Sequence, residues 1–159
     1  MAFPQNKYRK NRKNARILVI EDQTDQWTLI LQALESQFPE VQAIWKSSAP
    51  AATTFLEECA DAGSYPQLIL LDLYLPERET GLNMLGTIRR MTNPARQCPV
   101  VVLSHSDSPV DIREAYDLGA NSYIAKPLNQ DDWMAYFQTL REYWWQAVML
   151  PDSQSCFPG

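Results

Sequence analysis

LILLDLYLP, residues Leu68 to Pro76, is the stretch that decides the fold. Four apolar residues run unbroken into one carboxylate, Asp72, before Leu73 and Leu75 resume and Pro76 ends the pattern. Entered through Tyr65 and Pro66, such a run predicts a strand buried on both faces, as in a parallel sheet. A charge inside that strand would be costly unless paired or bound to metal. Asp72 is therefore expected at the strand's carboxyl end, where open α/β sheets place their ligands.

Working outward, the same pattern recurs. RILVI, Arg16 to Ile20, is a short apolar strand that delivers Glu21 and Asp22. Trp27, Ile30, Leu31, Leu34 and Phe38 then recur at helical spacing until Pro39. Val41 to Lys46 alternates as a strand, with Trp45 read as packing. Ala49, Ala52, Phe55, Leu56 and Cys59 mark a helix closed by Gly63 and Pro66. Beyond the opening stretch, PERET (Pro76 to Thr80) reads as a polar loop, and Gly81 introduces a helix with Leu82, Leu85, Ile88 and Met91 on one face.

Pro94 and Pro99 bracket a linker, and PVVVL (Pro99 to Leu103) is a fourth buried strand ending in Ser104, His105 and Ser106. Val110, Ala115 and Leu118 predict the core side of the next helix, which stops at Gly119. SYIA (Ser122 to Ala125) is a fifth strand delivering Lys126 and Pro127. Asn129 is placed to cap a last helix, with Asp131 and Asp132 near its positive end. Its stripe runs through Trp133, Phe137, Leu140, Trp144 and Ala147.

Five strands alternating with five helices predict an α/β fold, a doubly wound five-stranded parallel sheet flanked by helices. No glycine-rich phosphate cradle of the dinucleotide or P-loop kind is present. The chain of 159 residues divides into an N-terminal arm (1–15), one domain (16–150) and a tail (151–159). The three cysteines are far apart and form no C-x-x-C pair, which argues against a disulfide framework or a zinc site. The apolar runs are strand-sized and the N-terminus is basic and polar, so no membrane insertion is expected, and a cytoplasmic location follows.

Charge is unevenly spread. Six basic residues from Lys7 to Arg16 precede any acid, and from Glu21 onward eight basic residues face 19 acidic ones, a net of −11. An acidic body makes nonspecific nucleic-acid binding unlikely. The arm reads as a solvated tail, the sharper alternative being contact with an acidic partner or with the acidic body.

Strand ends on one sheet edge can share a pocket, here Glu21-Asp22, Asp72, Ser104 and Lys126. Clustered carboxylates repel each other and invite a hard divalent cation, and Mg²⁺ suits an oxygen-rich site of this kind. With a lysine and a hydroxyl opposite, the set is suited to phosphoryl transfer to Asp72.

With those residues in view, the chain resembles the response-regulator receiver domains (CheY-like, a flavodoxin-like sheet of order 2-1-3-4-5) of two-component signalling, over about residues 16 to 149. The resemblance implies that Asp72 is the phosphoacceptor, and that Asp22, Asp72 and the main-chain carbonyl of Tyr74 ligate Mg²⁺ while Glu21 acts through water. It also implies phosphate-binding and switch roles for Ser104, Lys126 and Tyr123, and a cis peptide at Lys126-Pro127.

On the same footing the donor is a sensor histidine kinase, and the protein is a phosphoacceptor rather than an enzyme, with only self-phosphotransfer and slow autodephosphorylation. The portion from DLGANSY (117–123) to MLP (149–151) looks most like single-domain regulators paired with bacterial phytochromes. Output then falls to contact with an unidentified downstream protein, and Tyr143 and Trp145 on the last helix are candidates for a homodimer interface.

Two departures stand out. His105 occupies a position that is usually small in the family, where it is either a bystander or a gate on access to Asp72. The segment from Asp72 to Gly81 is one residue longer than the common spacing. The rival readings are a phosphorylation-independent interaction module and a hydrolase using Asp72 as nucleophile; the latter lacks the expected D-x-D, having Tyr74 in its place.

Overall fold

In the computed structural model, which describes residues 15–143, the buried strands line up side by side as one parallel sheet. The strands are β1 (Arg16–Ile20), β2 (Gln42–Lys46), β3 (Leu68–Asp72), β4 (Val100–Ser104) and β5 (Ser122–Ala125). The helices are α1 (Thr24–Gln37), α2 (Ala49–Ala62), α3 (Arg78–Arg90), α4 (Pro109–Asp117) and α5 (Gln130–Leu140), with a 3₁₀ turn at Pro94–Gln97. Strand order is β2-β1-β3-β4-β5, the flavodoxin-like order expected from the sequence.

The period-two alternation of a strand explains the two cores. Leu18, Ile20, Ile69, Leu71, Val100 and Val102 point to the face covered by α2 and α3, while Ile17, Val19, Leu68, Leu70, Val101 and Leu103 meet α1 and α5. Every residue of β3 and of β4 is buried, which is why those strands read as unbroken apolar runs. Trp133 and Phe137 stack at 5.8 Å and anchor α5 in the second core.

Local chemistry sets the helix ends. The Ser48 hydroxyl accepts from the Ala51 amide at the start of α2, and Gly63 closes that helix with φ 67°, a left-handed conformation suited to glycine. The Asn129 side chain accepts from the Asp132 amide and caps α5, as its position in the sequence predicted. Cys59 and Cys98 are buried free thiols, and Cys156 lies outside the described residues.

Three expectations are corrected. Helix α3 begins at Arg78, so part of the PERET segment is helical, and Gly81 sits inside the helix rather than introducing it. The glycine marks a close approach: a Cβ there would lie 1.7 Å from the Leu73 carbonyl oxygen. Helix α4 turns Asp111 and Ala115 inward, leaving Val110 59% and Leu118 37% exposed, because this short helix is seated by a hydrogen-bonded carboxylate rather than by an apolar stripe.

The third correction concerns the cis peptide, which is at Leu75-Pro76 and not at Lys126-Pro127. Any X-Pro bond has a small enough trans preference for local context to decide. Ala15 is buried and its carbonyl accepts from the Gln42 amide, which ties it to the start of β2. Among the described residues, no helix is long and apolar enough to cross a membrane.

Candidate functional site

The carboxyl ends of β1, β3, β4 and β5 converge because parallel strands all end on one edge. Ladder register fixes the meeting: Asp72 lies opposite Leu103 and Ser104 opposite Ala125. Glu21, Asp72, Ser104 and Lys126 are all buried, at 1%, 5%, 0% and 6% exposure. Such burial of charge demands pairing.

Pairing is only partial. The Lys126 ammonium donates to Glu21 Oε2 at 2.8 Å and to Asp72 Oδ2 at 3.2 Å, bridging residues 105 and 54 apart in sequence. Glu21 Oε1 accepts from the Gln23 amide and Asp72 Oδ1 from the Tyr74 amide, both at 3.1 Å. Asp22 Oδ1 is buried and has no hydrogen-bond partner. One lysine thus serves a cluster in which oxygens of Glu21, Asp22 and Asp72 lie within 4.8 Å of one another.

The electrostatics follow. Burial, then repulsion from Asp72, pushes the Glu21 carboxyl up to about 7 against the pull of Lys126. Burial likewise raises Asp72, with Lys126 opposing. Raised carboxyl affinity for protons is what an excess of buried negative charge produces. The orphaned Asp22 oxygen and the all-oxygen donor set fit a hard divalent ion such as Mg²⁺.

The backbone beneath the acids is fixed from both sides. The Glu21 amide donates to the Lys46 carbonyl, and the indole N–H of Trp45 donates to the Glu21 carbonyl at 2.7 Å. Trp27 stacks on Trp45 at 5.3 Å. Trp45 is therefore more than packing: its indole holds the peptide that carries the acid pair.

Around β4, the Ser104 hydroxyl oxygen accepts from the Ser106 amide at 3.0 Å, and the Tyr123 hydroxyl donates to the Ser106 carbonyl at 2.7 Å. The structure thus joins Tyr123 to the loop that begins at Ser104. His105, between the two serines, is exposed. Tyr143 is 59% exposed and lines an open groove of about 640 Å³ between β5 and α5, together with Tyr123, Ile124 and Tyr136. Trp145 lies outside the described residues.

Sequence reading missed a second cluster beside the first. Asp111, 5% exposed, accepts from Arg78 Nε (2.5 Å), the Ser106 hydroxyl (2.5 Å) and the Tyr74 hydroxyl (3.0 Å), while Arg78 also pairs with Glu114. The serine hydroxyl and the guanidinium hold the Asp111 carboxyl below its usual range. Its only sequence signal is an acid flanked by Val110 and Ile112 in the first turn of a short helix, which reads equally well as a solvated helix start.

Comparison with known proteins bears on the family and the fold. The family model of the response regulator receiver domain matches residues 17–138. The chain is 36% identical over 129 residues to the probable methanogenesis regulatory protein FilR2 of Methanothrix harundinacea, covering 80% of this chain and 82% of that one. It is 32% identical over 138 residues to the response regulator Rcp1 of Synechocystis sp., covering 85% and 92%. Among solved structures, the phosphorylated cyanobacterial phytochrome response regulator RcpA superposes with a TM-score of 0.78 at 32% identity, covering 87% of this chain and 99% of that one. The Mn²⁺-bound form of Rcp1 follows with 0.75 at 30%, with the same coverage.

Proposed function

The chain belongs to the response regulator receiver domain family, and from that premise we propose that Asp72 accepts a phosphoryl group from a phosphohistidine on a partner kinase. The observation that carries this reading is the under-neutralised pocket: three carboxylates, one lysine and an unpartnered Asp22 oxygen. A purely structural pocket would be fully paired, whereas this one has acceptor capacity to spare.

Asp22, Asp72 and the main-chain carbonyl of Tyr74 would hold Mg²⁺, with Glu21 acting through water. When bound, the ion supplies positive charge opposite the phosphoryl oxygens. An Asp72 oxygen attacks phosphorus, the bond from phosphorus to the imidazole nitrogen breaks, and the imidazole leaves with the electron pair. Lys126, already within 3.2 Å of Asp72, is positioned to exchange its carboxylate contact for a phosphoryl oxygen. The Ser104 hydroxyl keeps its proton free to donate, because the Ser106 amide occupies it only as an acceptor.

Added charge at Asp72 draws Ser104 and Lys126 inward, and Tyr123, bonded to Ser106, passes the change to the face formed by α4, β5 and α5. That face is the output surface for a downstream protein, and exposed Tyr143, just past α5, is a candidate contact with a second copy. His105, exposed beside Ser104, is a bystander on the pocket rim unless it gates the access of water or donor to Asp72. Likeness to Rcp1 and RcpA supports a phytochrome-type kinase as donor. Residues 16–150 form the receiver unit, flanked by an arm (1–15) and a tail (151–159), and its setting is the cytoplasm.

Phosphotransfer is the test. Incubated with a histidine kinase carrying radiolabelled phosphohistidine, the protein takes up the label with Mg²⁺ and not with chelator. Equal transfer in chelator overturns the ion's role, and no transfer from any phytochrome-type kinase overturns the assigned donor.

A further inference from the structure

Two loops flank Asp72, one leading from β3 to α3 and the other from β4 to α4, and a single buried carboxylate ties them together. Asp111 takes the Tyr74 hydroxyl and Arg78 guanidinium from the first loop and helix, and the Ser106 hydroxyl from the second. Two residues carry the link from Asp72 to Ser104: Tyr74 donates its amide to Asp72 Oδ1 and its hydroxyl to Asp111, and Ser106 donates its hydroxyl to Asp111 and its amide to Ser104 Oγ. Ser106 also accepts from Tyr123 on its carbonyl and from the Ser108 amide on its hydroxyl.

Resting on the phosphoacceptor reading of Asp72, we propose that Asp111 is a positioning residue for phosphoryl acceptance, holding Ser104 and Tyr123 in their acceptor-ready places before any phosphoryl group arrives. An ionised carboxylate is the group suited to this post. It offers only acceptor sites, and three donors converge on it from two different loops. Arg78 supplies the compensating charge, and Glu114 fixes the other side of the guanidinium.

Ser106 then has no rotational freedom, because its amide, carbonyl and hydroxyl are all engaged. The Ser104 oxygen bound to its amide is held with it. Ordering these loops in advance lowers the reorganisation needed when the phosphoryl group transfers. The segment between Asp72 and Gly81 carries both Tyr74 and Arg78 to the clamp.

Labelling by acetyl phosphate in Mg²⁺ tests the idea, with the maximal rate separated from the half-saturating acetyl phosphate concentration. Asp111→Asn is expected to lower the maximal rate about 10-fold, with half-saturation moved less than about 2-fold. Ser106→Ala moves the rate the same way, and Tyr74→Phe, which deletes one neutral hydroxyl, gives a smaller loss.

Unlabelled wild type defeats the reading of Asp72 itself. Labelled wild type together with Ser106→Ala and Tyr74→Phe at the wild-type maximal rate defeats the clamp, whether or not Asp111→Asn folds. A loss that appears only as weaker half-saturation also defeats it.

Discussion

Two buried carboxylate clusters share one edge of the sheet, and they are solved in opposite ways. At Glu21, Asp22 and Asp72 the donors run short: one lysine spans two carboxylates, and an Asp22 oxygen is left over. At Asp111 the carboxylate is well supplied: a guanidinium nitrogen and two hydroxyls donate to it, and the guanidinium is shared with Glu114. The same residue type is thus pushed up in proton affinity in one cluster and down in the other. Incomplete pairing marks a place kept for a ligand, and complete pairing marks a place that holds something still.

The sharpest way to break this contrast is to remove the shared cation. Lys126→Ala leaves Glu21 and Asp72 buried without a cationic partner, and loss of one member of a buried pair costs about 3–5 kcal/mol. Urea unfolding without metal is expected to show that loss, and Mg²⁺ to recover part of it. An unchanged midpoint in metal-free buffer would show that the lysine is not the cluster's counterion.

Next in size is the response to the ion. Ligand at 100 times its dissociation constant stabilises by about 2.7 kcal/mol, so Mg²⁺ raises the wild-type melting temperature. Asp22→Asn, which removes the orphaned oxygen's charge, is expected to abolish most of the increase. By contrast, Arg78→Ala lowers the melting temperature by about 2–4 °C equally with and without Mg²⁺, since the Asp111 cluster has no vacancy to fill. Scanning calorimetry separates the two behaviours.

The acid cluster also carries a pH dependence. Glu21 binds its proton more tightly folded, at about 7, than at its ordinary value of 4.5. The folded state therefore holds more protons between those values, and metal-free stability declines as pH rises through that window. Mg²⁺ competes with that proton, so its stabilising effect grows toward and above pH 7. A metal-free midpoint that rises across the window contradicts the excess of negative charge.

How much of this was legible in the chain depended on whether a signal was one-dimensional. Asp72 stood out because an apolar run flanks it, and Glu21-Asp22, Ser104 and Lys126 because each directly follows a strand. Their convergence needed only the rule that parallel strands end on one edge. Asp111 obeys no such rule, because its partners Tyr74 and Arg78 are 37 and 33 residues away and come together only through the crossover into α3. Helix α4 was misread for the same reason: it is seated by polar bonds that leave no hydrophobic period, so Val110 and Leu118 looked like core and are exposed. The start of α3 was obscured by Gly81, which serves packing against Leu73 rather than helix punctuation.

The central claim is that Asp72 is the residue that takes the phosphoryl group. Its most direct measurement treats the protein with acetyl phosphate and Mg²⁺, traps the acyl phosphate by borohydride reduction and locates the reduced residue by peptide mass spectrometry. Modification is expected at Asp72 alone, and none in Asp72→Asn. Modification at Asp22 or Glu21, or labelling that persists in Asp72→Asn, would contradict it.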